Sequence, residues 1–420
     1  MPLDRPAPEN STNGDIRHSP LGAAARGLDG LNLFVANIQT GFGPFIAVFL
    51  TSMGWTQTAI GIALSIGTVT AMVSQVPAGA VVDAVQRKSM VALASVLAFA
   101  GSALMFALWP IPLSIYLAEI LHGFSSCTLG PAIAALSLVI AGSSSLGVRL
   151  GRNARFASIG NGVGALLMGA CGYYLPERFV FFLTAVLTVP AVGTLVPLAR
   201  YERLVSTETA ASNSAPDPAR ATRRKAIGQL LLDRRLVVFA LCAALFTLGN
   251  AALLPLASSA LTKRAASEAN LLIAACIVLP QVIVALLSPT IGRVADRVGR
   301  RVIVMLAFAA LAARAVLFAG ITQPVLVVAI QAFDGVAGAC FGVIVPLVTS
   351  DVAGRSGHFN LCLGLVGFAI GIGAAVSTVL GGWTADRFGE AWTFLSFGAI
   401  SVVGAGLTWA AMPETRPGPG

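Results

Sequence analysis

Charged side chains are scarce in this sequence of 420 residues. Asp, Glu, Lys and Arg make up 11% of the residues and hydrophobic residues make up 56%, whereas an ordinary soluble domain carries about 25% charged residues. A soluble core could not bury that much apolar surface. Many of the apolar runs approach the ~20 residues that are needed to cross the hydrocarbon of a bilayer. The composition therefore predicts a helical bundle embedded in a membrane.

Nucleotide-binding loops and catalytic clusters are also missing. No G-x-x-x-x-G-K-[ST] loop is present, which excludes ATP-driven pumping by this chain alone. The three histidines, His18, His122 and His358, are scattered, and no nucleophile or metal-binding cluster accompanies them. The six cysteines lie in apolar segments without a C-x-x-C pair, as small buried hydrophobic residues do. We therefore predict that the chain is not an enzyme and needs no cofactor or metal.

Twelve apolar segments are long enough to be membrane-spanning helices. We place them at 31–50, 57–82, 89–109, 113–141, 157–175, 179–199, 236–257, 270–291, 302–321, 325–350, 361–382 and 391–411. The polar stretch 200–235 lacks apolar periodicity and is predicted to be a cytoplasmic linker. The expected organisation is an N-terminal tail (1–30), a six-helix bundle (31–199), the linker (200–235), a second six-helix bundle (236–411) and a C-terminal tail (412–420).

The cations are distributed unevenly between alternate loops. If both termini are cytoplasmic, 22 of the 27 Lys and Arg residues lie on the cytoplasmic side and 4 lie outside, with Arg314 inside a helix. This pattern satisfies the positive-inside rule and predicts a bacterial inner-membrane protein with both termini in the cytoplasm. Nucleic acid is an unsuitable partner, because the cations do not form one basic face.

The sequence contains an internal repeat. One loop carries Gly79, Asp83, Arg87 and Lys88, and a second loop carries Gly292, Asp296, Arg297, Gly299, Arg300 and Arg301. The glycines that begin the two loops lie 213 positions apart, as do the aspartates. The segments 119–123 and 331–335 form a second repeated pair, 212 positions apart. We therefore predict an all-α membrane protein of twelve helices in two six-helix pseudo-symmetric bundles.

The two loops resemble the signature G-x-x-x-D-R-x-G-R-[RK] of the major facilitator superfamily. The second loop matches at every signature position, whereas the first departs at Ala84 and Gln86. The resemblance implies a secondary transporter that works by alternating access, with helices 1, 4, 7 and 10 around its cavity. It also implies that the loops act as a gating latch; the alternative is that their charges only hold the topology.

Helix 5 offers a further, partial resemblance. Its glycines at 160, 162, 164 and 169 are similar to the glycine-rich antiporter motif of drug exporters, but Ala165 stands where that motif has proline. The resemblance points to an exporter-like subgroup of the superfamily.

Four ionisable residues lie inside predicted helices, where a charge needs a partner or a function. Glu119 and His122 share a face of helix 4 and are candidates for proton coupling; substrate contact and a purely structural pair are the alternatives. Arg314 and Asp334 lie at matching depths in helices 9 and 10, which predicts a structural ion pair. Asp334 is alternatively a proton or substrate group in the pathway.

Amides near helix-loosening Gly and Pro residues are candidates for substrate binding. They are Asn37, Gln39, Asn250 and Gln331, with helix packing as the alternative role for each. Few cations accompany them, which disfavours phosphorylated substrates.

We predict a monomer that moves a small organic molecule through the lipid bilayer, with protons as the coupling ion. Efflux of a drug, metabolite or siderophore-like compound is the first hypothesis. Uptake of a small neutral solute by symport is the alternative, and a non-transporting receptor is a remote one.

Overall fold

The computed structural model describes residues 20–141, 146–209, 233–265, 268–353 and 359–415. These residues form twelve spans, of which the first and the seventh are each divided into two helices. The first six spans are α1a (Pro20–Thr40) with α1b (Pro44–Ser52), α2 (Gln57–Ala84), α3 (Lys88–Leu108), α4 (Pro112–Ala141), α5 (Leu146–Tyr174) and α6 (Arg178–Thr209). The last six are α7a (Arg234–Asn250) with α7b (Leu253–Ala265), α8 (Ala269–Val298), α9 (Arg300–Gly320), α10 (Pro324–Ala353), α11 (Phe359–Phe388) and α12 (Glu390–Ala411).

The helices have the length and composition of membrane spans. Within the described ranges, 11 of them are long and apolar enough to cross a bilayer. The exception is α5, which carries Arg149, Arg152 and Arg155 near its start. The all-helical, twelve-span architecture that the sequence predicted is confirmed.

Several helices are longer than the predicted apolar windows. The first span begins at Pro20, and α6 continues to Thr209, into the segment that was predicted to be a linker. These extensions are polar, but Asp29 and Glu202 within them bind groups on other helices. An apolar window marks only the part of a helix that lies in hydrocarbon, so it underestimates such ends. Residues 1–19, 210–232 and 416–420 of the predicted tails and linker lie outside the described residues.

The divided spans break at the centre of the molecule. Gly43 has a φ of 73°, which suits glycine, and Pro44 begins α1b, where its missing N–H costs no helical hydrogen bond. In span 7, the backbone N–H of Ala252 donates to Ser377 Oγ at 3.0 Å instead of continuing the helix. Gly43, Pro44 and Asn250 line the central cavity described below.

The starts of α3 and α9 are capped in the same way. The Glu202 carboxylate accepts hydrogen bonds from the backbone N–H groups of Lys88 at 2.5 Å and Ser89 at 3.1 Å. The Glu414 carboxylate accepts from the backbone N–H of Arg300 at 2.8 Å. First-turn N–H groups have no partner within the helix, and a negative charge there also interacts favourably with the positive end of the helix dipole. The matched caps repeat the internal duplication in three dimensions.

The two halves meet in a line of contacts at one end of the molecule, which we call the seam. Asp386, near the end of α11, accepts hydrogen bonds from the backbone N–H groups of Gln57 at 3.0 Å and Thr58 at 2.6 Å. On the other side, Asn270 Nδ2 donates to the carbonyl oxygen of Gly172 at 2.8 Å. Asp386 of the second half therefore caps α2 of the first half.

The seam also contains close backbone approaches. Thr51 Oγ1 in α1b donates to Ser259 Oγ in α7b at 3.0 Å. Gly61 in α2 lies so close to the carbonyl oxygen of Thr378 in α11 that a Cβ atom at this position would overlap it. Small residues permit this approach, as they do in other membrane helix pairs. The molecule is therefore closed at the end where α2 begins and α11 ends.

Candidate substrate cavity

A cavity of about 520 Å³ lies between the two halves. Helices of both halves contribute to its wall, which is mostly apolar or neutral. The lining residues are Gly43, Pro44, Leu64, Gly67, Thr68, Ala71, Glu119, His122, Gly123, Ser126, Asn250, Ala251, Leu254, Pro255, Arg314, Asp334, Ala374 and Thr378. The volume lies within the range of small-molecule sites.

Glu119 and His122 lie together on the first-half wall. Glu119 is 2% exposed, and its Oε2 lies 3.5 Å from His122 Nδ1. Glu119 Oε1 is buried without a hydrogen-bond partner among the described residues. Gly67 of α2 approaches so closely that a Cβ atom there would overlap Glu119 Oε2. In the described part of the chain, His122 is the basic side chain in ion-pair range of this carboxylate.

Aromatic rings hold His122 in place. Its imidazole stacks on Phe42 with ring centroids 4.2 Å apart and an interplanar angle of 7°. Phe99 contacts the same imidazole edge-on at 5.5 Å. Phe42 belongs to the break between α1a and α1b, so the rotamer of His122 depends on the geometry of that break.

A second polar group lies on the second-half wall. Arg314 Nη1 of α9 donates to Asp334 Oδ1 of α10 at 2.7 Å and to Asn250 Oδ1 of α7a at 2.6 Å. Arg314 is 1% exposed and Asp334 is 24% exposed. The guanidinium also lies over the ring of Phe318 at 5.4 Å. The structure therefore brings together the two charged residues that the sequence placed at matching depths, and adds an amide to them.

The other three candidate amides do not line the cavity in this conformation. Asn37 is 1% exposed, donates to Leu33 O at 3.0 Å, and faces Gly164 of α5. Gln39 is exposed, and Gln331 is fully buried, with no N or O partner for either amide atom among the described residues. Which face of a divided or tilted helix borders the cavity in one conformation cannot be assigned from residue type, so substrate contact by these amides stays a prediction.

In the second signature loop, the charges pair with one another. Arg300 Nη1 lies 2.7 Å from Asp296 Oδ1 and Arg300 Nε lies 3.1 Å from Asp351 Oδ2. Asp296 is 67% exposed, and the pair joins residues of the second half only. Gly299 has a φ of 101° and lies against Glu414, whereas Gly292 is half-buried.

The first signature loop is described in part. Lys88 Nζ donates to the carbonyl oxygens of Val82 at 2.5 Å and Val85 at 2.8 Å, and Arg87 is exposed. The surroundings of Gly79 and of the Asp83 side chain lie outside the described part of the structure.

Comparison with known proteins decides the family. The MFS_1 like family matches residues 28–396. The MFS-type transporter Rv2456c of Mycobacterium tuberculosis (strain H37Rv) is 34% identical over 396 residues, which cover 93% of each chain; the transporter MT2531 of strain CDC 1551 matches equally. The chain belongs to the major facilitator superfamily. It is therefore a membrane transporter and not an enzyme.

Solved structures of other superfamily transporters share the fold. A mutant of the nucleoside transporter NupG superposes with a TM-score of 0.77 over 93% of this chain and 100% of NupG, at 15% identity. A mutant of the peptide transporter POT in complex with alafosfalin gives a TM-score of 0.71 over 92% of this chain and 94% of POT, at 12% identity. At these identities the likeness concerns the fold.

Sequence reasoning missed two charged groups of this superfamily member. Asp29 in α1a forms ion pairs with Arg149 and Arg152 of α5. Asp386 caps α2 across the seam. Asp386 lies near the end of α11, where an acidic residue is ordinarily solvated, and Asp29 lies in the part of α1a that precedes the predicted apolar window, so residue type alone gave no reason to single them out. The signal that could have found Asp29 was the cluster of arginines at the start of α5.

Proposed function

We propose that this chain is a proton-coupled secondary transporter of a small neutral solute and that Glu119 carries the coupling proton. The observation that supports this proposal is the position of Glu119 in the cavity wall. Its carboxylate is buried, borders the cavity, and has an unpartnered oxygen and no Lys or Arg partner among the described residues. An ionisable carboxylate inside the membrane needs a partner or a function.

Alternating access connects the proton site with transport. The seam closes the end that the distribution of cations predicts to be periplasmic, so we assign the structure to an inward-open state. Protonation of Glu119 removes a buried charge next to α2, whose start forms part of the seam. Proton binding and release therefore bias the two states of the transporter, as any group with different affinity in two conformations does.

The charges of the cavity favour a neutral solute. Arg314 is balanced by Asp334, and Glu119 becomes neutral when it binds a proton. No net charge then remains on the wall to neutralise an ionised substrate. NupG is a nucleoside transporter and POT a peptide transporter, and both names describe small polar solutes.

We place uptake by symport first, because the proton site and the polar second-half wall belong to different halves. A proton on Glu119 and a solute on the opposite wall can occupy the cavity together, which symport requires. Efflux is the second candidate. It is favoured by the glycines of α5, of which Gly160 and Gly164 lie against α1a and Gly169 lies against α8, in partial likeness to the antiporter motif.

The test uses purified protein in liposomes with an imposed pH gradient. The wild type should accumulate its solute on the alkaline side when proton and solute move together, and on the acidic side when they exchange. Glu119→Gln should abolish accumulation but retain solute exchange without a gradient, because the amide mimics the protonated acid and cannot cycle. The matched control is Glu268→Gln, the same chemical change at an exposed residue outside the cavity lining.

Two results would contradict the proposal. If Glu119→Gln accumulates solute at the wild-type rate, the proton site lies elsewhere and Asp334 becomes the next candidate. If the wild type accumulates nothing under a pH gradient but does so under another ion gradient, protons are not the coupling ion.

A further inference from the structure

Two hydrogen-bonding atoms on the second-half wall are left free by the polar group described above. Arg314 Nη1 binds one oxygen of Asn250 and one oxygen of Asp334. Asn250 Nδ2 and Asp334 Oδ2 make no hydrogen bond to described residues. Neither atom is buried, and both residues line the cavity. The wall therefore presents a donor and an acceptor to the cavity.

The shared guanidinium fixes the spacing of these atoms. Both Oδ1 atoms lie within 2.7 Å of the same nitrogen, so the amide and the carboxylate lie side by side. Arg314 itself is 1% exposed, and its Nε and Nη2 are buried without a hydrogen-bond partner in the described part of the chain. Arg314 is consequently a positioning residue, whereas Asn250 and Asp334 present the atoms that a solute can reach.

We propose that Asn250 and Asp334 form the recognition pair for the solute, and that the solute is neutral and carries an O–H or N–H donor next to an oxygen acceptor. This inference rests on the proposed function. The solute's donor binds Asp334 Oδ2, and its acceptor receives a hydrogen bond from Asn250 Nδ2. Vicinal hydroxyls, amides and nucleobase edges have this pattern.

The same geometry disfavours ionised solutes. An anion would face the Asp334 carboxylate, and a cation would lie within a few ångströms of the Arg314 guanidinium across Asn250. A neutral solute satisfies both free atoms without either repulsion. A site that is built to hydrogen-bond a solute also rejects analogues that leave its polar atoms unpaired.

The first part of the test is solute selectivity. Liposomes that contain the full chain are loaded with ribose or uridine as neutral probes, lactate as an anion and choline as a cation, and exchange of labelled probe is measured without a pH gradient. We expect exchange of a neutral probe and none of the charged probes. Exchange of only charged probes, or of no neutral probe, would overturn the proposal.

The second part is a double variant in which the two side chains are swapped, Asn250→Asp with Asp334→Asn. The double variant keeps an oxygen at each position for Arg314 and keeps the net charge, but reverses donor and acceptor. We expect an unchanged melting temperature and an exchange KM for the neutral probe that rises at least tenfold. A pair with only a structural role would leave this KM unchanged, and that result would also overturn the proposal.

A single variant covers the case in which the double variant does not fold. Asn250→Asp keeps the oxygen that binds Arg314 and the Asp334 carboxylate that compensates its charge, but turns the free donor into an acceptor, so its exchange KM should rise at least tenfold as well; an unchanged KM would contradict the proposal. Exchange needs no proton gradient. Failure of proton coupling therefore appears as normal exchange without accumulation, whereas failure of the recognition pair appears in the exchange KM itself.

Discussion

At the scale of single residues, the cavity contains two solutions to the cost of a buried charge. Arg314 is buried against the carboxylate of Asp334 and the amide of Asn250. Glu119 is equally buried but has only the imidazole of His122 in range among the described residues. An ion pair such as Arg314–Asp334 stabilises the conformation in which its two side chains meet. A carboxylate without a Lys or Arg partner, such as Glu119, can favour one conformation of the transporter with a bound proton and the other without it. The two sites therefore suit different roles in one transport cycle.

A test of compensation is the removal of each partner. Asp334→Ala should lower the stability of the folded protein by about 3 kcal/mol, because it leaves the buried charge of Arg314 unpaired; Arg314→Ala should lower it by less, because Asp334 is 24% exposed. The double variant should recover part of this loss, since neither charge remains. Thermal unfolding in detergent and folded yield measure the effect. Strictly additive losses would show that the two side chains do not depend on each other.

The residue scale is also where sequence reasoning succeeded unevenly. The spacing of Glu119 and His122 placed both on one face of a helix, and the structure has them together at the cavity. Asn37 and Gln331 have the same residue types as a binding amide, yet both are buried and neither lines the cavity in this conformation. The difference is the rotation of each helix about its axis, which tertiary contacts determine and a single sequence does not encode locally.

At the scale of helices, length and apolar composition identify eleven of the twelve spans within the described ranges, with α5 as the exception, and the helix ends were not predicted. Glu202 lies in the part of α6 beyond its apolar window, and its carboxylate caps α3. Glu414 lies just after the end of α12, and its carboxylate caps α9. The break in span 1 was indicated by Gly41-Phe42-Gly43-Pro44, and a loosening of span 7 was indicated by Pro255, although the break itself falls at Ala251 and Ala252. There the hydrogen bond from Ala252 to Ser377 replaces a helical one, and that partner becomes visible only in three dimensions.

The cap that Asp386 places on α2 predicts a gate at the seam. Asp386→Asn should weaken closure, because a neutral amide oxygen is a poorer partner for the first-turn N–H groups than a carboxylate. Labelling of Ser126→Cys in the cavity by a membrane-impermeant thiol reagent, added from the predicted periplasmic side, should become several-fold faster. The background is the same chain without the added cysteine.

Two companion variants make this experiment specific. Glu390→Gln removes an ion pair with Arg264 at the same end but within one half, so labelling should keep its wild-type rate. Asp296→Asn alters the signature loop that the superfamily resemblance predicts to act as a latch at the opposite end, so it should slow transport without faster labelling from the periplasmic side. Equal labelling rates in Asp386→Asn and Glu390→Gln would show that the cap does not hold the seam closed.

At the scale of the whole molecule, the orientation in the membrane is predicted from charge. Reporter fusions after Leu198, within 205–225 and at the C-terminus should report the cytoplasm, because the loops on that side carry 22 of the 27 cations. Fusions near Pro110 and Ala265 should report the periplasm. A periplasmic signal from 205–225 would be incompatible with this orientation.

The seam affects how much area the molecule occupies among the lipids of each leaflet. Two bundles that touch at one end and enclose a cavity beyond it occupy different cross-sectional areas in the two leaflets. The opposite conformation reverses this difference, so the exchange between states does work against the lateral pressure of each leaflet. Lipids with small head groups, which raise the pressure among the acyl chains, should therefore shift the balance of states without contacting the cavity at all.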